Sequence, residues 1–291
     1  MAKPIPLLFC TVILCICAYL GASSSFFLRL ITHDSTAEIT GIDWYEPKAW
    51  LQGNPNLDPI PTLETPNHFI PALNAAIPYL EPRNSFAFLV MHRNQIVVEK
   101  YFHGRGPDDL FNGMSMTKAI IGLLIGQALK EKAIPSLDEP AGKLFQEWSR
   151  DNRYQITIRN LLQMMSGLRN DKSTTNPLSD LVQMHLQPDI PSTLLSIPAI
   201  RKPAEEYDYS NFNTQVLALI LQRLYQKPLP SLVQEKIWQH IGKDKAFFWL
   251  DRPNGNAHAY CCFFATPRDW LSLGQALMNQ GQTPAGIAIT S

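Results

Sequence analysis

The sequence predicts an α/β (α+β) fold, a sheet layer carrying a helical subdomain. Three observations predict it. A pair of β-rich runs occupies Phe86 to Phe102, a strongly apolar helix follows from about Met116 to Lys132, and further helical segments fill the chain to Gly242. Strands followed by many helices and then more chain argue for such a layered architecture.

The strand pair "FAFLVMHRNQIVVEKYF" turns around His92-Arg93-Asn94 and reads as a hairpin. After the polar turn "HGRGPDDLFNG", the segment "SMTKAIIGLLIGQALKEKAI" is apolar at helical spacing and reads as a largely buried helix. "ITIRNLLQMMSGL" predicts a helix from Ile158 to Met165, stopped at Ser166-Gly167. "SNFNTQVLALILQRLYQ" and "PSLVQEKIWQHIG" predict two more, the second ending at Gly242. A last helix starts after Thr266-Pro267, with a capping threonine and proline at its first position. Residues 25–84 are proline-rich and weakly periodic, with one short helix near Pro71 to Leu80. A two-stranded hairpin is not a stable sheet by itself, so further strands are required, and few segments offer themselves.

The domain reading is therefore a leader at 1–24, an extension at 25–84 and a main domain at 85–291. In the leader, Lys3 precedes an apolar stretch from Leu7 to Leu20, followed by Gly21, Ala22 and serines 23 to 25. This is the pattern of a secretory signal cleaved after Ser23 or Ser24. The alternative is a retained membrane tether through residues 7–20, although the apolar core is short for a bilayer span. Both readings place the rest of the chain in the periplasm or outside the cell. Cys10, Cys15 and Cys17 follow Phe9, Leu14 and Ile16, not the small residues that lipoprotein anchoring needs.

Charge is balanced, 25 basic against 25 acidic residues, so no nucleic-acid partner is expected. Of the 5 cysteines, three lie in the leader; the others, Cys261 and Cys262, are adjacent and are expected to be free, packed thiols. The 7 histidines are scattered without metal-ligand spacing and read as ordinary surface or loop residues. No metal or cofactor is expected; phosphate-loop and dinucleotide fingerprints are both missing from the sequence.

Ser115 and Lys118 stand at i and i+3 at the start of the first strong helix, which puts them on one face. A serine hydroxyl needs a base to become a nucleophile, and a lysine with a depressed pKa is one. By itself the spacing arises by chance, and a capping serine beside a surface lysine explains it equally. The apolar helix behind Lys118 and the Gly-rich turn before Ser115 argue for chemistry. Tyr209-Ser210-Asn211 offers a proton-shuttling phenol and an amide, or else simply the cap of the next helix. The nucleophile-elbow pattern fails at Thr117.

With these residues in view, the chain resembles the serine β-lactamase and penicillin-binding-protein superfamily. Within it, the likeness is to the class C-like branch of esterases, D,D-peptidases and 6-aminohexanoate-dimer hydrolases. "MSMTKAIIGLLIGQAL" is similar to the Ser-x-x-Lys helix, "IPSLDEPAGKLFQEW" to the stretch that follows it, and "ITIRNLLQMMSGL" to the next block. "KPAEEYDYSN" resembles the Tyr-x-Asn block, and "AYCCFFATPRDWLSLGQALMNQG" the block after it. Together they cover roughly Phe86 to Gly281 in family order.

The resemblance implies an antiparallel sheet flanked by helices, with an inserted all-helical subdomain at about 133–245. It implies Ser115 as acylated nucleophile, Lys118 as base, Tyr209 as proton relay and Asn211 as substrate ligand. The Ser115 N–H would be half of an oxyanion hole, and the substrate a small-molecule or peptide amide or ester. The family's third motif, Lys-Thr-Gly or His-x-Gly on a late strand, has no match after Gly281, and Ala204 replaces a frequent glycine. The chain is thus expected to be C-terminally truncated. Beside an active serine hydrolase, the alternatives are an impaired or inactive homologue and an envelope protein that binds peptidoglycan or another ligand without turnover.

Overall fold

The computed structural model describes residues 25–33 and 38–289. The leader reading lies outside these residues. Among them, no helix is long and apolar enough to cross a membrane.

Two antiparallel sheets are present among the described residues. The hairpin forms as expected, with β2 (Ala87–His92) paired to β3 (Gln95–Tyr101). Arg93 and Asn94 both take positive φ, 52° and 62°, the backbone of a tight two-residue turn whose twist matches the strands. The outer edge of β3 is covered by the chain at Pro61–Leu63, which exchanges backbone hydrogen bonds with Ile96.

The second sheet answers the shortage of strands. Its order is β1-β5-β6-β4, built from β1 (Lys48–Leu51), β5 (Ala246–Trp249), β6 (Phe263–Ala265) and β4 (Phe111–Asn112). Strands β4, β5 and β6 are wholly buried. The rings of Phe247 and Phe264 stack across β5 and β6 with centroids 4.4 Å apart, a cross-strand aromatic pair.

The helices in chain order are α1 over residues 25–32, α2 (Ile70–Leu80), α3 (Thr117–Lys130), α4 (Ile158–Leu162), α5 (Asp180–Leu186), α6 (Ile190–Ser196) and α7 (Asn211–Tyr225), of which the sequence does not predict α1, α5 and α6. Then come α8 (Leu229–Val233), α9 (Gln239–Ile241) and α10 (Pro267–Met278). A π-helical turn at Gln234–Trp238 joins α8 to α9. Helix α10 begins as read, with Thr266 accepting from the Asp269 N–H and Pro267 in the first turn.

Two helices are shorter than expected. Helix α3 is preceded by a 3-10 turn at Met114–Met116 and ends at Lys130, where the positive φ of Lys132, 59°, turns the chain out of the helix. Helix α4 stops at Leu162 because Met164 takes φ 58° and turns the chain away.

Helix α7 is buried continuously from Phe212 to Leu221 and packs against α3 and α4. Most of this buried run is apolar, and each fully buried Leu or Ile contributes about 1.5–3 kcal/mol. This packing brings the N-terminal ends of α3 and α7 together, and with them Ser115 and Tyr209.

Candidate active site

The nucleophile turn hangs on a buried asparagine. Asn112, the last residue of β4, is 5% exposed. Its Oδ1 accepts from the backbone N–H of Met114 (2.9 Å) and of Cys262 (3.0 Å). Its Nδ2 donates to the Glu38 carbonyl at 3.1 Å. Met114 carries the positive φ that swings Ser115 into the open, a strained backbone held by its surroundings. Gly113 completes the turn. Its N–H donates to the Phe263 carbonyl (2.9 Å), and a Cβ built on it would lie 1.9 Å from the Trp270 ring. Only glycine allows α10 to approach the turn this closely.

Ser115 Oγ sits between two donors. Lys118 Nζ reaches it at 3.0 Å and the Tyr209 hydroxyl at 2.7 Å. Lys118 also donates to the Tyr260 carbonyl at 2.8 Å. Burial pulls the Lys118 ammonium below its ordinary value, against an opposing pull from Tyr209. For Tyr209, burial pushes the phenol up, but hydrogen bonds to Lys118 and Ser115 and the lysine charge outweigh it, so its pKa lies below the usual value. The two groups are therefore coupled, each favouring the charged form of the other.

The Tyr260 carbonyl is itself positioned. Gln215 on α7 is fully buried, donates to the Ala257 carbonyl and accepts from the Ala259 N–H, both at 2.9 Å. Trp249 of β5 exchanges bonds with the same loop, donating to the Cys262 carbonyl and accepting from His258.

Ser210 is the cap of α7, its Oγ accepting from the Phe212 N–H. Tyr209 is not a core aromatic, since it is 42% exposed. Asn211 lines the same cavity as Ser115, a space of about 380 Å³ walled by Leu30, Leu181, Val182 and Leu186 on its apolar side. The structure thus places Ser115 and Asn211 in the wall of one cavity and holds Lys118 and Tyr209 against Ser115. Sequence reasoning missed the residues that hold them: Asn112, Gln215, Tyr260 and Trp270.

Two expectations about other side chains are corrected. Cys261 and Cys262 are bonded to each other as a disulfide. Cys262 takes a positive φ of 66°. His258 is fully buried, and His185 on α5 is half-buried in the cavity wall. Burial pushes His185 down to about 3 and His258 well below its ordinary value, so both rings are neutral. His258 stacks on Trp249 at 3.9 Å, and His185 Nδ1 lies 2.8 Å from the Tyr260 hydroxyl.

The described residues after α10 turn back at Thr283–Ile287, and the Ile289 carbonyl accepts from Gln127 in the C-terminal half of α3. They pack away from Ser115.

Comparison with known proteins matches this architecture. The 6-aminohexanoate-dimer hydrolase of Paenarthrobacter ureafaciens is 24% identical over 235 residues, 75% of this chain and 59% of that protein. The chain therefore spans under two thirds of that relative. A Bacillus anthracis structure named after the 6-aminohexanoate-dimer hydrolases superposes with a TM-score of 0.74 at 22% identity, covering 88% of this chain and 71% of its own. The octameric penicillin-binding protein homologue of Pyrococcus abyssi gives 0.58 at 15% identity, covering 76% and 58%. Likenesses this distant show the fold, an antiparallel sheet and helices of the β-lactamase/transpeptidase type. The sequence profile of the beta-lactamase family matches residues 77–287, and the chain belongs to that family.

Proposed function

We propose that this chain is a serine hydrolase that opens an amide or ester through an acyl-enzyme on Ser115. The observation that carries the reading is the Ser115 hydroxyl held between Lys118 and Tyr209 on the floor of a cavity. The Ser115 oxygen attacks the substrate carbonyl carbon, and its proton passes to the Lys118–Tyr209 pair. The pair then delivers that proton to the departing amine or alcohol, and water releases the acyl group by the same route in reverse. Burial of Lys118 supports its role as base, since a depressed pKa leaves more of it neutral. The Ser115 N–H stands to receive the developing oxyanion, and Asn211 to hold the substrate amide. The apolar wall of Leu30, Leu181, Val182 and Leu186 suits a linear acyl chain. A short linear amide, the chemistry for which the Paenarthrobacter relative is named, fits that wall. The leader pattern supports a periplasmic or extracellular site of action.

A second reading, a weakly active or ligand-holding homologue, draws on the packing of residues 279–289 away from Ser115.

Fluorophosphonate labelling separates the two. The expected result is covalent labelling at Ser115, abolished in Ser115→Ala and reduced by about 10³-fold or more in Lys118→Ala. A folded wild-type chain that takes no label would overturn the hydrolase reading.

A further inference from the structure

The cavity beside Ser115 has a second chemistry in its wall. Cys261, Cys262 and His185 all line it, and a ring nitrogen of His185 and the two sulfurs lie within 4.8 Å of one another. We propose that, when the disulfide is opened, these three side chains form a binding site for a thiophilic divalent cation of the zinc type.

The ligand set suits such an ion. Two thiolates and one imidazole are a recurrent set for zinc, with metal–sulfur bonds of about 2.3 Å and metal–nitrogen bonds of about 2.0–2.1 Å. Donor atoms around a tetrahedral ion of those dimensions stand roughly 3.5 Å apart. Separations no larger than 4.8 Å close to that by small side-chain movements, and breaking the S–S bond lets the sulfurs part. His185 is pre-set for the task. Its Nδ1 is within hydrogen-bond reach of the Tyr260 hydroxyl. A ligating histidine commonly has its second nitrogen held in this way, which fixes ring orientation and raises affinity. His185 is held further by edge contacts with Trp249 and His258. Three protein ligands leave the fourth position facing the cavity.

The chemistry balances. A dithiol reductant supplies two electrons and two protons; the S–S bond breaks, two thiols form, and the reductant closes to its cyclic disulfide. Binding of the cation then releases the two thiol protons, and two thiolates neutralise its charge. Because the ion shares the cavity with Ser115, its occupancy also obstructs acylation, a consequence that rests on the hydrolase reading.

The test uses the full chain, reduced with a dithiol, freed of reductant without oxygen and titrated with Co²⁺. The expected result is one ion per chain with thiolate-to-cobalt charge-transfer absorption, absent from the oxidised chain. His185→Gln and, separately, Cys262→Ser should each weaken binding tenfold or more while circular dichroism shows the fold retained. Bound Co²⁺ should slow fluorophosphonate labelling at least tenfold. A folded, reduced chain without charge-transfer absorption would overturn the proposal, as would unchanged affinity in both variants. Labelling indifferent to bound Co²⁺ would place the ion elsewhere and overturn it too. A chain that binds Co²⁺ but never takes label fails the hydrolase reading alone, since the absorption reports binding without any need for activity.

Discussion

The two walls that meet at Ser115 are built differently. On one side, the nucleophile turn is held by buried groups: Asn112 bridging Met114 and Cys262, Gly113 bonded to Phe263 and pressed on Trp270, and Lys118 bonded to the Tyr260 carbonyl. On the other, Tyr209 ends an exposed loop held by ion pairs at its surface, Lys172 to Asp208 and Arg201 to Glu206. Exposed pairs of this kind contribute little, whereas a buried hydrogen bond that loses its partner costs about 1–3 kcal/mol. The difference implies that the nucleophile turn is fixed by buried contacts, while Tyr209 is fixed by its bond to the serine together with hydrogen bonds of its more exposed loop, from Asn170 to the Tyr209 carbonyl and from Asp208 to the Met164 carbonyl.

The largest effect should come from disturbing the rigid wall. In Gly113→Ala, a new Cβ overlaps the Trp270 ring, so either α10 or the nucleophile turn must move. We expect a loss of about 2–3 kcal/mol in stability, within the range for overpacked sites, and a fall of about 10²-fold or more in labelling of Ser115. Adding Trp270→Ala should restore part of the labelling, because the clash disappears with the ring. Thermal unfolding and labelling of the two single variants and the double variant measure this coupling. Additive effects would mean that contact between α10 and the turn does not set the serine.

The counterpart on the exposed wall is Tyr209→Phe. Little stability should be lost, since the ring is 42% exposed and keeps its shape. Acylation should fall about 10²-fold through the lost proton relay. The pH profile carries the sharper signature. Lys118 must be neutral to act as base, so acylation rises with pH through an inflection below the ordinary lysine value of 10.5. Tyr209 holds the Lys118 pKa up, so its removal should move that inflection to lower pH while lowering the plateau. An inflection that moves upward, or a stability loss as large as that of Gly113→Ala, would erase the contrast between the walls.

The same contrast explains what could be read from the sequence. Ser115 with Lys118, the hairpin turn at Arg93-Asn94 and the cap at Thr266-Pro267 are local patterns, complete within a few neighbouring residues. Tyr209 and Asn211 were legible because they stand directly before a strongly apolar helix and match a family block. Asn112 and Gln215 were not legible, because each acts on chain 150 or 44 residues away. Strand β4 is two residues long and β1 four, too short for alternation to show. The cysteine pair was misjudged because adjacent cysteines rarely bond to each other.

The smallest expected effect lies in the loop that leads to Tyr209. Ala204, which stands where the family often carries glycine, has φ 67°, and its N–H donates to the Met165 carbonyl at 2.8 Å. A left-handed backbone costs an L-residue roughly 1–2 kcal/mol, a cost that glycine avoids while adding freedom to the unfolded chain. Ala204→Gly should therefore stabilise the chain by about 0.5–1 kcal/mol net. Because this loop carries Tyr209 but not the nucleophile turn, labelling of Ser115 should change less than about twofold. Thermal unfolding measures the first quantity and labelling the second. A large change in labelling with unchanged stability would show that the loop conformation, and not the bond to Ser115, places the tyrosine.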